Sequence, residues 1–186
     1  MFYDSSLFGL LNKSRKIITI SKISLVYNYC TKLGPPSDKW QEKETSTDTN
    51  GEELYIRLRD YIYRHVGKVK ADLDNTPDNH LLLTYVKHWN RFTSAAVYTS
   101  HLFRYLNRVW IHRSKAERSN VYEVHILALR AWLDVIFDKT ASLGNRIVDI
   151  VLNDINCERN KEIIETNVIK QFCESLVRLG GANNSN

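Results

Sequence analysis

The sequence predicts an all-α protein, and three observations carry that prediction. Between Pro77 and Gly144 there is neither Gly nor Pro, so this long region lacks the turn residues that all-β folds need. Apolar residues recur at steps of three and four along most of the chain, which is the spacing of one helix face. Aromatic residues make up 11% of the 186 residues and supply a core. A helical bundle or solenoid module follows from these features.

The first predicted helix begins near Ile17. Ile20, Ile23, Tyr27 and Cys30 fall on one stripe of it, and Gly34-Pro35-Pro36 ends it. Residues 1–16 show weak periodicity, so we expect a poorly ordered segment there. Residues 35–51 are polar and rich in Ser, Thr and Asp, which predicts a mobile linker.

Apolar stripes predict further helices near residues 52–70, 78–91, 93–113, 119–138, 142–157 and 161–179. Asp78 and the pair Thr93-Ser94 are candidate helix caps. Gly180-Gly181 is expected to close the last helix. The predicted domain therefore spans residues 17–180, and residues 181–186 form a disordered tail.

Net charge, the length of apolar runs and the number of cysteines limit the kinds of partner and compartment that this sequence suggests. The 26 Lys and Arg residues against 21 Asp and Glu give a net charge of +5, which permits binding to nucleic acid without requiring it. No apolar run approaches the roughly 18 residues of a membrane span, so no membrane partner is expected. Three widely spaced Cys residues are typical of a reducing compartment, which indicates a cytoplasmic or nuclear protein.

Catalytic and metal-binding patterns are absent from the sequence. It has no Gly-rich phosphate loop, no Cys pair with metal-ligand spacing and no HExxH motif. The six His residues are scattered, and Cys30, Cys157 and Cys173 fall on apolar stripes as small core residues do. We therefore expect no enzyme, no cofactor and no metal site.

The segment from Arg104 to Arg118 is strongly basic and contains two aromatic residues. Its members are Arg104, Arg108, Arg113, Lys115 and Arg118, with Tyr105 and Trp110 between them. Such a pattern could bind phosphates and stack bases, which makes a basic all-α nucleic-acid-binding protein one hypothesis. The alternative is a helix with a buried aromatic stripe and a solvated basic face. Tyr, Trp and Arg also dominate protein-binding hot spots.

Seven blocks rich in aromatic and charged residues follow one another along the chain: VYNYCT (26–31), GEELYIRLRDYI (51–62), TYVKHWNRF (84–92), YLNRVWIHR (105–113), VYEVHILALRAWLDVIF (121–137), CERNKEIIETNVI (157–169) and LVRLG (176–180). In order and spacing they resemble the N-terminal region of cullins. The resemblance is greatest to the cullin of SCF ubiquitin ligases, which use a Skp-type adaptor and F-box receptors. It implies a cullin repeat, a bundle of about five long helices plus short ones.

The resemblance also implies a function and a site. A cullin is a scaffold in ubiquitin-dependent protein degradation, and its first repeat binds the adaptor, here a Skp-type adaptor carrying an F-box receptor. The matching face has two parts, Ile20, Ile23 and Tyr27 on one helix and Tyr105, Asn107, Arg108 and Trp110 on another. Thr19-Ile20 stand where the SCF-type cullin has an aromatic–Met pair. Since the sequence stops where the first repeat would end, we expect no RING-protein partner, and a role as decoy or remnant.

Overall fold

The structure is a computed structural model that describes residues 21–31, 42–117, 120–138, 142–160 and 165–183. All regular elements within these ranges are helical, which confirms the predicted all-α class. They are α1 (residues 21–31), α2 (Glu42–Asp74), α3 (Asp78–Leu102), α4 (Arg104–Leu106), a π-helical segment (Asn107–Ile111), α5 (His112–Glu117), α6 (Val124–Ile136), α7 (Ser142–Arg159) and α8 (Thr166–Asn183).

The described residues divide into two compact units. The first contains those up to Arg57 together with Tyr98–Glu123, and the second contains Leu58–Val97 and Val124 onwards. Helices α2 and α3 each contribute residues to both units. Every residue of the predicted adaptor face that the structure describes belongs to the first unit.

An aromatic cluster forms the core of the second unit. Tyr85, Trp132 and Phe172 are almost fully buried, and the Tyr85 ring meets both other rings edge-on with centroids 5.8 and 5.3 Å away. The polar ends of these side chains are paired. The Tyr85 hydroxyl accepts a hydrogen bond from Nε1 of Trp132 (3.3 Å) and lies 3.0 Å from the Ser175 hydroxyl. Because these buried polar groups are hydrogen-bonded, the cost of removing them from water is largely offset and the cluster can bury large rings.

Two predicted helix boundaries are wrong. Helix α2 begins at Glu42, so residues 42–51 of the predicted mobile linker are helical, whereas residues 35–41 lie outside the described ranges. Helix α3 continues through Thr93-Ser94, which therefore caps nothing. The hydroxyls of Thr93 and Ser94 donate to the carbonyls of Trp89 and Asn90, one turn earlier (3.0 and 2.8 Å). Such bonds let hydroxyl residues stay inside a helix.

The end of the last helix also differs from the prediction. Helix α8 passes Gly180-Gly181 and reaches Asn183, so the disordered tail predicted for residues 181–186 is wrong at residues 181–183. The buried stripe explains the extension, because Phe172, Ser175, Leu179 and Ala182 are all buried at helical spacing. Residues 184–186, and the predicted poorly ordered segment 1–16, fall outside what the structure describes.

Candidate functional site

Helix α1 carries the first part of the predicted face. Ile23 is half-buried on this helix, and Tyr27 keeps 49% of its surface exposed. Ile20 lies outside the described residues. The spacing of Ile23, Tyr27 and Cys30 explains why these residues share one side of the helix.

Two contacts and one buried side chain hold α1 in the first unit. The ring of Tyr27 meets that of Tyr105 near α4 edge-on, with centroids 4.8 Å apart and planes at 77°. The Tyr29 hydroxyl donates a hydrogen bond to the Glu53 carboxylate on α2 (2.9 Å). The Cys30 side chain is 6% exposed. These contacts bring together the two helices that carry the predicted face.

The Glu53 carboxylate links α1 to α2. Its carboxylate accepts hydrogen bonds from Tyr29 and, one helical turn away, from the guanidinium of Arg57. The Tyr29 hydroxyl, followed by Arg57, holds the pKa of the Glu53 carboxyl below its ordinary value. The same carboxylate raises the pKa of the Tyr29 hydroxyl, because it stabilises the protonated phenol. The hydrogen bond from Tyr29 to Glu53 is therefore strongest at pH values where Glu53 is ionised and Tyr29 is still protonated.

The second helix of the predicted face is not a regular α-helix. It starts after a break at Phe103, and the π-helical segment Asn107–Ile111 follows the single turn of α4. Asn107 anchors the start of this segment. Its backbone N–H donates to the carbonyl of Phe103 (3.0 Å), and its side-chain amide donates to the Ser100 hydroxyl (3.3 Å). The amide of Asn107 is therefore engaged with the end of α3.

The π-helical segment carries both buried and exposed side chains. A π-helical turn holds more residues than an α-helical turn, so it shifts the side chains that follow around the helix axis. Here Trp110 and Ile111, which are neighbours in sequence, are both buried, while Arg108 is exposed. Such segments are uncommon and are often found at functional sites.

Trp110 lies beneath the predicted face rather than on it. The indole is 5% exposed and packs against Tyr55 of α2, with ring centroids 5.2 Å apart. Its other neighbour is Gly51, where an added Cβ would lie 2.5 Å from Cδ1 of the indole. The Tyr55 hydroxyl in turn accepts a hydrogen bond from the backbone N–H of Tyr122 (3.0 Å). Trp110 can therefore support the face from inside.

Sequence reasoning missed Gly51 and Tyr55. The sequence predicts Gly51 as the last residue of a polar linker. In the structure it lies inside helix α2, and its missing side chain leaves room for Trp110. A glycine directly before a strong amphipathic stripe is the available signal, because an isolated glycine inside a helix often has a packing reason. Tyr55 carries no signal that separates it from other core residues.

The structure separates the aromatic and basic residues of the segment that suggested nucleic-acid binding. Trp110 is buried and offers no open face for base stacking, and the Tyr105 ring is already packed against the ring of Tyr27. The basic side chains Arg104, Arg108, Arg113 and Lys115 are exposed, and Arg118 lies outside the described residues. Arg113 lines a cavity of about 220 Å³ beside Cys30, Gly51 and Trp110.

Other predicted features are placed as follows. Cys30 is buried as a core residue, Cys157 is half-buried, and Cys173 is exposed, contrary to its predicted core role; it lies on α8 away from the buried stripe of that helix. Within the described ranges, no group of three or more His, Cys, Asp or Glu residues could hold a metal ion. No helix among the residues searched is long and apolar enough to cross a bilayer.

A family model and several curated proteins match this chain over most of its length. The family model "Cullin alpha solenoid domain" matches residues 15–186. The chain is 33% identical over 164 residues to Cullin-1 of Dictyostelium discoideum, covering 83% of this chain and 20% of the relative. It is 29% identical over 159 residues to Cell division control protein 53 of Saccharomyces cerevisiae, covering 83% of this chain and 19% of the relative. The chain thus spans about a fifth of the length of these relatives.

Proposed function

The chain belongs to the cullin family, and from that premise we propose that it is a non-enzymatic docking module that binds a Skp-type adaptor. The adaptor carries an F-box receptor, and the complex serves ubiquitin-dependent protein degradation. The docking face consists of Ile23 and Tyr27 on α1 and of Tyr105, Asn107 and Arg108 along α4 and the π-helical segment. Ile20 continues this stripe along the sequence.

One observation carries the proposal. The two helices that the cullin resemblance assigns to the adaptor face meet through the ring contact between Tyr27 and Tyr105, and Tyr27 still exposes half of its surface. A rigid aromatic side chain that is held by a ring contact and still half exposed is the type of residue that dominates binding hot spots. Exposed Arg108, which follows Tyr105 by three residues, adds a planar donor to the second helix of the face.

Within this face, Trp110 is a positioning residue. Its indole is 5% exposed and packs against Tyr55 and Gly51, so it supports the π-helical segment from inside. Replacing Trp110 therefore weakens adaptor binding by displacing Tyr105 and Arg108. A face of standard size would cover about 800 Å² on each partner.

The proposal has a consequence for the cell. An adaptor held by this chain would be withheld from another cullin that uses the same surface of the adaptor. The chain therefore competes for adaptors, and its effect on degradation depends on its concentration relative to them.

Isothermal titration calorimetry with a purified Skp-type adaptor bound to an F-box fragment tests the proposal. Tyr27→Ala and Tyr105→Ala should each weaken binding by about 30-fold, which corresponds to the roughly 2 kcal/mol of a hot-spot residue. Tyr61→Ala is the matched control, because Tyr61 is a 66% exposed tyrosine on α2 in the second unit. Equal affinities for all three variants would refute the proposed face.

A further inference from the structure

A row of basic side chains runs along the exposed side of the second face helix. Arg104, Arg108, His112 and Lys115 are all exposed, while Leu106, Trp110 and Ser114 are buried on the opposite side. We call these four exposed residues the basic stripe. No Asp or Glu occurs between residues 98 and 116, so the stripe has no acid interspersed along its own segment.

The geometry of the helix keeps the stripe in line. Its members are spaced by four, four and three residues, and at about 100° per residue these steps stay within about 80° of arc on one side of a helix. The spacing therefore places the four basic side chains along one edge of the helix.

The charges of the stripe are unneutralised within the described part of the chain. Arg104, Arg108 and Lys115 form no ion pair there, whereas Arg57, Arg59 and Arg146 each pair with a carboxylate. Like charges four residues apart on a helix repel each other and lower helix stability. A row of this kind is stabilised when an acidic surface lies against it.

We propose that the basic stripe is the electrostatic edge of the docking face and receives an acidic segment of the adaptor complex. This inference rests on the proposed function and adds the charge of the partner surface to it. Arg108 belongs to both the face and the stripe, so the surface for the acidic segment continues the proposed face. The stripe acts mainly on the association rate, because exposed charges steer encounter more than they hold a formed complex.

The structure favours an acidic protein over a nucleic acid as the partner. Binding to single strands combines basic grooves with open aromatic faces, and the two aromatic residues of this segment are engaged otherwise. Trp110 is buried, and Tyr105 packs against Tyr27. A single row with helical spacing matches carboxylates placed one turn apart on a partner helix.

Stopped-flow association with the Skp-type adaptor bound to an F-box fragment tests the inference. The stripe variant is Arg104→Glu with Lys115→Glu, which leaves the proposed contact residues unchanged. The control is Lys87→Glu with Lys170→Glu, which makes the same change of net charge at two exposed lysines of the second unit. Arg104→Gln with Lys115→Gln, a neutral variant, is measured beside them, and circular dichroism checks that all variants fold.

We expect the stripe variant to associate about tenfold more slowly than the control at about 0.01 M salt, where charges act over about 30 Å. The neutral variant should be intermediate, and the differences should vanish at about 1 M salt. Equal rates for the stripe variant and the control overturn the inference and leave the proposed function intact. Failure of the unaltered chain to bind the adaptor overturns both. Salt-sensitive binding to a labelled duplex, lost only in the stripe variant while adaptor rates stay equal, assigns the stripe to nucleic acid instead.

Discussion

Replacing Gly51 by Ala tests how the face is supported. An added Cβ would lie 2.5, 2.6 and 2.9 Å from three carbon atoms of Trp110. Ordinary contacts between carbon atoms are about 3.5–4.0 Å, so the indole must move by about 1 Å. The cavity of about 220 Å³ beside Trp110 gives it room to do so. The cost is therefore that of an overpacked core, about 1–3 kcal/mol, and not the loss of the fold.

Gly67 is the matched control for this change. It lies on the same helix α2, and an added Cβ there meets nothing within 4 Å. Gly67→Ala should therefore show only the gain in helix propensity, up to about 1 kcal/mol. Since Gly51→Ala shares that gain, the two variants should differ by the overpacking cost alone.

Thermal unfolding and adaptor binding measure the two effects. A difference of about 1–3 kcal/mol corresponds to a melting temperature about 2–12 °C lower for Gly51→Ala than for Gly67→Ala. Gly51→Ala should also bind the adaptor more weakly than Gly67→Ala, because Trp110 supports the segment that carries Tyr105. Equal melting temperatures for the two variants would refute the account of Trp110 as a tightly packed support.

Two further outcomes are expected. Tyr85→Phe should lower the free energy of unfolding by about 1–3 kcal/mol in chemical denaturation, because it leaves Nε1 of buried Trp132 without its acceptor; an unchanged value would contradict this. The depressed pKa of Glu53 means that its bond with Tyr29 stabilises the fold above about pH 4.3, the ordinary carboxyl pKa, and that this contribution is lost as pH falls through the lower folded value. Thermal unfolding should therefore separate the unaltered chain from Glu53→Gln near neutral pH and bring them together in acid, and a gap that persists in acid would contradict the assignment.

Apolar periodicity predicted the helices where one face is buried without interruption. The stripe of α7 is an example, because Leu143, Ile147 and Val151 are buried at steps of four. Boundaries failed where a local signal was overruled by packing. Gly51 resembles a helix breaker by composition, but the position needs a missing side chain beside Trp110, and that requirement comes from a residue 59 positions away in sequence.

The candidate site could be predicted only in part. The resemblance to cullins named its residues, while periodicity alone placed Trp110 and Tyr105 on one helix without separating them. The π-helical segment was beyond a reading based on 3.6 residues per turn, because it departs from that period. The alternative of a buried aromatic stripe with a solvated basic face, which the sequence left open, agrees with the structure at buried Trp110 and exposed Arg108.

The central claim is that this chain docks a Skp-type adaptor through the face around Tyr27 and Tyr105. Size-exclusion chromatography with light scattering, on the chain mixed with an adaptor bound to an F-box fragment, tests it most directly. The account predicts a one-to-one complex that is lost in Tyr27→Ala with Tyr105→Ala and retained in Tyr61→Ala. Separate elution of the unaltered chain and the adaptor at micromolar concentrations would contradict it.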